Sequence, residues 1–277
     1  MLRRINAEDA QVAAAVGAAI PAIARAVHAA TAALAEGGRL VYVGAGTSGR
    51  LAVLDAAECP PTFGVDRGAV TAVIAGGREA AWRSAEGAED DEAAGIRDLE
   101  AAGVRAVDVV VGLAASGRTP YTVAALRRAR ELGCRTVAVT GNPGTPLAAT
   151  ADIPIEVLTG PEVIAGSTRL KAGTAQKMVL NLISTGAMVR LGRTYSNLMV
   201  GVQATNAKLV RRLALIVAEA AGGPSIGPAE AAELVAKAGG DANVAILMAR
   251  KGLTAEDARE VLGAAGGSLR RALGERP

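Results

Sequence analysis

Aromatic side chains make up only 2% of the 277 residues, with one Trp, one Phe and three Tyr. A chain this poor in aromatics lacks the stacking platforms on which single-stranded nucleic acid is held. Imidazole and thiol groups are as scarce. His28, Cys59 and Cys134 are the only ones, with no CxxC or HxxxH spacing, so no metal site is expected. Two cysteines this far apart read as reduced, buried small residues, and a cytoplasmic location follows as an expectation. No stretch of about 20 strongly apolar residues is found, so no membrane span is expected. The start, MLRR followed by an Ala-rich run to PAIARA, mimics a secretory signal. Glu8 and Asp9 interrupt it, its apolar residues are mostly Ala, and Arg25 and His28 follow closely, which fits an amphipathic helix better. A basic block is missing too: 30 Lys and Arg are scattered among 27 Asp and Glu, for a net charge of +3. That balance favours a small anionic ligand over nucleic acid.

What is present is apolar and glycine-rich: 51% hydrophobic residues, 34 Gly and a mean hydropathy of +0.30, the composition of a globular chain. Asn6 and Asp9 offer caps for a helical stretch that runs, with a kink at Pro21, to about Leu34 and stops at Gly37-Gly38. RLVYVGAG (39–46) is a short apolar run ending in glycine, as expected of a strand buried on both faces. A helix, GRLAVLDAAE, follows, and Pro60-Pro61 is expected to end it. The unit recurs as AVTAVIAGG with a helix through Glu86 to Leu99, VDVVVGLAASG with TPYTVAALRRAREL, and TVAVTGNPG with LAATA. This alternation predicts an α/β fold, a doubly wound, mostly parallel sheet flanked by helices. A long helix is expected from about Thr168 to Leu191, and a small subdomain of about three helices beyond it. The expected organisation is an N-terminal helical segment (1–38), the sheet domain (39–206) and a C-terminal helical subdomain (207–277).

Three loops rich in glycine and hydroxyls carry the chemistry. GAGTSGR (44–50) fits GxGxxG formally, but the acidic ribose partner of a dinucleotide site is missing about 20 residues on. Gly46, Thr47, Ser48 and Arg50 instead suit a phosphate monoester, which hydroxyls and the amides of a helix N-terminus can hold without metal. AASGRTP repeats the design with Ser116, Gly117, Arg118 and Thr119. AGSTRLKAGTAQK adds Ser167, Thr168, Arg169 and Lys171 at the expected start of the long helix. Each loop alone reads as turn or cap residues. Three together point to an anion site in the crevice at the carboxyl ends of the strands.

The blocks GAGTSGRLAVLDAAECPPTFG, AEGAEDD, LAASGRTPY, GSTRLKAGTAQKMVLNLISTGAM and NLMVGVQATNAKL, which cover nearly the whole chain, resemble the N-acetylmuramic acid 6-phosphate etherase family of the sugar isomerase (SIS) domain superfamily. The resemblance implies a lyase that cleaves the D-lactyl ether in cell-wall recycling, without a cofactor, as a homodimer. It implies Glu58 and Glu89 as the acid/base pair, Glu89 taking the proton from carbon 2 and Glu58 protonating the departing lactyl oxygen. Glu86, three residues before Glu89, would share its face if the segment is helical, and is expected to contact substrate. The plain rival is a solvated acidic face. Two features depart from the family pattern: fewer residues precede MLRRINAED, and Gly201 stands where aspartate is usual. His28 is expected to be structural, and Trp82 and Phe63 to be packing residues. The alternative function is a sugar-phosphate-binding regulator of the glucokinase regulatory protein type, and an aldose–ketose isomerase ranks last.

Overall fold

The structure, a computed structural model, describes residues 1–202, 207–222 and 226–275. They form two compact units, one of Met1–Ala57 with Arg67–Ala187, the other of Glu58–Asp66 with the chain from Met188 onward. The expected N-terminal segment is thus part of the first unit's body, and the second unit begins well before residue 207. The 206/207 boundary itself falls at Gln203–Asn206, outside the described residues.

The first unit is built on five parallel strands, β1 (Leu40–Gly44), β2 (Val70–Ile74), β3 (Val109–Leu113), β4 (Arg135–Thr140) and β5 (Ile153–Glu156), in the order β2-β1-β3-β4-β5. Every residue of β1 and β3 is buried, because helices cover both faces. Val41 and Val43 face α5 (Glu92–Ala101), α6 (Pro120–Glu131) and α7 (Pro146–Thr150), in a core with Leu99, Leu126 and Leu147. On the other face lies α3 (Ile20–Ala35), packed on β1, β3 and β5. There the Tyr42 hydroxyl donates to buried Asp55 of α4 (Gly46–Phe63) at 2.8 Å, and Asp55 also accepts from Asn181 at 2.6 Å and Ser184 at 3.2 Å on α8 (Lys171–Arg190).

Four local expectations are corrected. The N-terminal stretch is three helices, α1 (Leu2–Asp9), α2 (Val12–Ala18) and α3, so Asn6 and Asp9 lie within α1 and do not cap it. The bend of 62° falls at Ala19, and Pro21 sits in the first turn of α3, where its missing N–H costs no helical bond. Pro60-Pro61 does not end α4, which continues to Phe63. Proline's fixed φ is helical, and here two ladder bonds are forgone near the helix end while the Gly64 amide still closes on the Pro60 carbonyl at 3.0 Å. The helix expected through Glu86 is instead two single 3-10 turns, Arg78–Ala81 and Ala88–Asp90, separated by a loop; α5 starts only at Glu92, capped by Asp91. Gly87, at φ +72°, breaks any helical path from Glu86 to Glu89, so the two do not share a helix face. Finally, α8 starts at Lys171, after Ser167 and Thr168.

The second unit holds α9 (Ala207–Ala220), α10 (Pro228–Lys237), α11 (Ala242–Lys251), α12 (Ala255–Ala264) and α13 (Leu269–Leu273), five helices among the described residues where about three were expected. Leu213, Val217, Val235, Ile246 and Leu269 form its core. The expected Thr254 cap is present, its hydroxyl accepting from the Asp257 amide at 3.2 Å. Of the GGPSIGP turn, Gly223–Ser225 lie outside the described residues. Gly201 lies so close to Phe63 that an added Cβ would collide with the Phe63 carbonyl, so no side chain fits there without backbone movement. Among the described residues no single helix is long and apolar enough to cross a membrane.

At the amino edge of the sheet, buried Asp108 accepts from the Arg39 guanidinium at 2.7 and 3.1 Å and from the backbone amides of Arg39 and Arg105 at 2.9 Å each. Burial pushes its carboxyl up, but the Arg39 side chain and the two amides outweigh burial and hold it below its ordinary value. Such a group adds stability above the unfolded carboxyl's pKa and loses it as pH falls through the lowered native one. The parent's stability to heat is therefore expected to fall on acidification below about pH 4. Asp108→Asn should lower the midpoint at pH 7 and flatten this acid limb, as differential scanning calorimetry from pH 7 to pH 2 would read.

Candidate active site at the carboxyl edge of the sheet

The strand order reverses between β1 and β3, so their following loops leave in opposite directions and open a crevice. The ends are in register: Gly44 of β1 lies beside Ile74 of β2 and Leu113 of β3. The first loop is minimal, because α4 begins at Gly46. Gly49 permits this, since an added Cβ would stand 2.6 Å from the Ile74 side chain and 2.7 Å from the Gly44 carbonyl. Thr47 and Ser48 are thereby in the first turn, beside amides that have no partner within the helix.

The second loop is stiffened from behind. Gly117, at φ +66°, donates to the Ala114 carbonyl at 2.9 Å, and a Cβ there would collide with the Thr145 side chain. Ser116 accepts from the Arg118 amide at 3.2 Å, which leaves its O–H free to donate outward. Thr119 stands at the start of α6 without capping it. The third loop comes from the sheet edge, yet α8 returns it to the first: Ser48 donates to Gln176 Oε1 at 2.9 Å, and the Thr47 methyl lies against Gly173.

Two basic residues expected at the phosphate are committed elsewhere. Arg50 donates to the carbonyls of Ala80 and Arg83, each at 3.0 Å, and so pins the segment that follows β2. Lys171 is 1% exposed, and its ammonium lies 2.7 Å from Glu8 of α1. The N-terminal amides of α8 are likewise occupied, for the Glu162 carboxylate accepts from Lys171 and Ala172 at 3.0 and 2.9 Å. This cap, the Gln176 link and Asp55 escaped the sequence reading, since each rests on partners 9 to 129 positions away. Among the described residues, the hydroxyls of Thr47, Thr119, Ser167 and Thr168 remain without a hydrogen-bond partner.

Between the first loop and the segment after β2 lies a cavity of about 290 Å³, lined by Ala45, Gly46 and Arg50 on one side and Ala80 and Ser84–Glu89 on the other. It holds Glu86 and Glu89, both otherwise exposed to solvent, together with the first turn of α4. Glu58 is exposed further along α4, belongs to the second unit and is not part of this lining. Three cavities are larger, one of about 470 Å³ in the helical unit and two of about 560 Å³. Of the latter two, one lies within the helical unit, and the other is a groove at the amino ends of β3 and β5 beside His28; the strand ends that open βα crevices line neither. No group of three or more His, Cys, Asp or Glu that could hold a metal occurs among the described residues. Burial and the nearby Asp108 charge raise the Cys134 thiol to about 11, which makes it a poor nucleophile or ligand at neutral pH.

A curated N-acetylmuramic acid 6-phosphate etherase from Yersinia pestis (strain Pestoides F) is 55% identical over 273 residues, covering 99% of this chain and 92% of the relative. The same figures hold for that of Yersinia pseudotuberculosis serotype O:1b (strain IP 31758). This chain belongs to the N-acetylmuramic acid 6-phosphate etherase family. Family models for the SIS domain and for the glucokinase regulatory protein N-terminal SIS domain match residues 88–185 and 22–130. Among solved structures, a ligand-bound protein from Escherichia coli CFT073 aligns with a TM-score of 0.52 at 18% identity, over 71% of this chain and 92% of that one. A phosphoheptose isomerase from Francisella tularensis also scores 0.52, at 21% identity over 68% and 98%. These two likenesses and the SIS family models together establish the SIS fold.

Arg50 supplies a test of the cleft. An ammonium cannot hold two divergent carbonyls as a guanidinium does. Arg50→Lys should therefore loosen the segment carrying Glu86 and Glu89, and displacements near 1 Å cost on the order of 100-fold in rate. Steady-state kinetics are expected to show kcat/KM reduced by about that factor, with the melting temperature little changed.

Proposed function

We propose that this chain cleaves the D-lactyl ether of N-acetylmuramic acid 6-phosphate, giving N-acetylglucosamine 6-phosphate and D-lactate in cell-wall recycling. The observation that carries this reading is Glu89 in one cavity with the first turn of α4, in a chain 55% identical to curated etherases over 99% of its length. The phosphate is held by the hydroxyls of Thr47, Ser116, Thr119, Ser167 and Thr168 and by loop amides, with Gly46 and Gly117 giving the backbone access and exposed Arg118 contributing charge. Ser48, Arg50 and Lys171 support these loops through Gln176, the Ala80 and Arg83 carbonyls and Glu8.

The reaction needs no electron carrier. In the open-chain sugar the carbonyl at carbon 1 acidifies the proton on carbon 2, and Glu89 removes it. The electron pair forms the double bond between carbons 2 and 3 as the carbon–oxygen bond to lactate breaks, and Glu58 gives the leaving oxygen its proton. Water then adds at carbon 3, its proton returns through a carboxylate, and carbon 2 is reprotonated. Glu86, in the same cavity, orients the substrate. The second reading, a regulator that binds the sugar phosphate without turnover, draws on the match to the glucokinase regulatory protein SIS model. Such a protein has no use for a carboxylate pair.

We further infer that the enzyme works as a homodimer in the cytoplasm. Exposed Leu54 on α4 and Leu182 on α8 offer apolar surface for a second copy. The two thiols, buried and outside any disulfide, suit a reducing compartment.

The test is D-lactate release from N-acetylmuramic acid 6-phosphate by metal-stripped protein. A positioned general acid or base contributes roughly 10² to 10⁴-fold, so Glu89→Gln and Glu58→Gln should each fall by at least that lower factor while the fold survives. Binding of the sugar phosphate by the folded parent with no lactate released would reject catalysis in favour of the regulator.

A further inference from the structure

Trp82, expected to be a packing residue, packs into no core. It is the only tryptophan in the chain and is 67% exposed. So large an exposed ring is apolar area that a bound group can cover. The ring is nonetheless held in place. Its indole N–H donates to Glu79 at 3.1 Å, and its backbone amide closes on the Glu79 carbonyl at 3.2 Å. The carbonyls on either side, those of Ala80 and Arg83, are the two pinned by Arg50. Ala80 and Ser84, which bracket Trp82 in the chain, both line the cavity that holds Glu86 and Glu89. The indole therefore stands on the short segment between two lining residues, outside the lining itself, and is tied to Glu79. The lining itself contains no aromatic, only alanine methyls, backbone and polar groups.

We propose that Trp82 is a substrate-contacting, specificity-determining residue, the apolar wall for the acetamido and lactyl groups on carbons 2 and 3 of the sugar. This rests on the etherase reading, in which Glu89 meets carbon 2. The groups on that carbon and its neighbour are then the ones closest to the segment 82–87. A cavity of about 290 Å³ is also at the small end for a monosaccharide phosphate bearing two substituents, so part of the ligand extends past the lining to the rim. Apolar methyls and C–H faces against an indole are favourable in the way aromatic side chains are at other binding surfaces.

A lone tryptophan makes the proposal directly readable, because all tryptophan emission comes from this site. N-acetylglucosamine 6-phosphate titrated into the parent, and N-acetylmuramic acid 6-phosphate titrated into Glu89→Gln, should each change that emission saturably. Trp82→Ala should raise KM for N-acetylmuramic acid 6-phosphate about tenfold with kcat within a factor of about three. Trp82→Phe should restore most of the loss, and the melting temperature of both variants should match the parent. Emission that ignores both sugars at saturation, or a KM for Trp82→Ala within twofold of the parent, overturns the proposal. So does emission that responds to protein concentration and not to sugar, which assigns the indole to a contact between copies. Lactate release with silent emission refutes the contact and leaves the etherase reading standing. Saturable emission without lactate release refutes the etherase reading and leaves Trp82 as a sugar-phosphate contact.

Discussion

The site depends on one close approach, that of the first turn of α4 to the carboxyl ends of β1 and β2. Gly49 allows it, for any larger residue would strike Ile74 and the Gly44 carbonyl. Because the helix begins so near the strand, its free amides and Thr47 stand at the carboxyl edge of the sheet. Ser48 can then reach Gln176 on α8, and Arg50 can reach over to the Ala80 and Arg83 carbonyls. A helix displaced by the width of one methyl group would break these links together. The anion loop, the carboxylate segment and α8 are thus positioned by a single packing contact.

The parallel sheet was legible because strands buried on both faces need continuous apolar runs, and RLVYVGAG and VDVVVGLAASG are such runs. The loops at the carboxyl edge were legible for the same reason, since glycine and hydroxyls end each run. Other features were decided by tertiary partners. Pro60-Pro61 reads as a stop, yet α4 passes through both residues to Phe63. The segment around Glu86 and Glu89 looked helical from its Ala and Glu content. A glycine with positive φ and the two carbonyl anchors supplied by Arg50 make it a shaped loop instead. Lys171 looked like a phosphate ligand because its motif is basic and next to hydroxyls. Its partner is Glu8, 163 positions away, which no local pattern indicates. Trp82 looked like core because tryptophan usually is, and burial is a property of the whole fold.

The separation of charges in the first unit follows from what the substrate would bring. A phosphate dianion and a carboxylate base repel each other, and the repulsion grows as water leaves the site. Here the groups left free at the three loops are mainly neutral hydroxyls and amides, with Arg118 and Arg169 exposed beside them, while Glu86 and Glu89 line one cavity with Arg50 and the first turn of α4. Neutral donors cost less to desolvate than ammonium groups. Lys171, the one buried ammonium near these loops, is neutralised by Glu8. An anion site made mainly of dipoles is therefore a consistent design for proton abstraction beside a phosphate. It also gives a role to Arg50 and Lys171, which act on the protein's own backbone and on Glu8: they set the geometry of the loops and leave the hydroxyls and amides to meet the ligand.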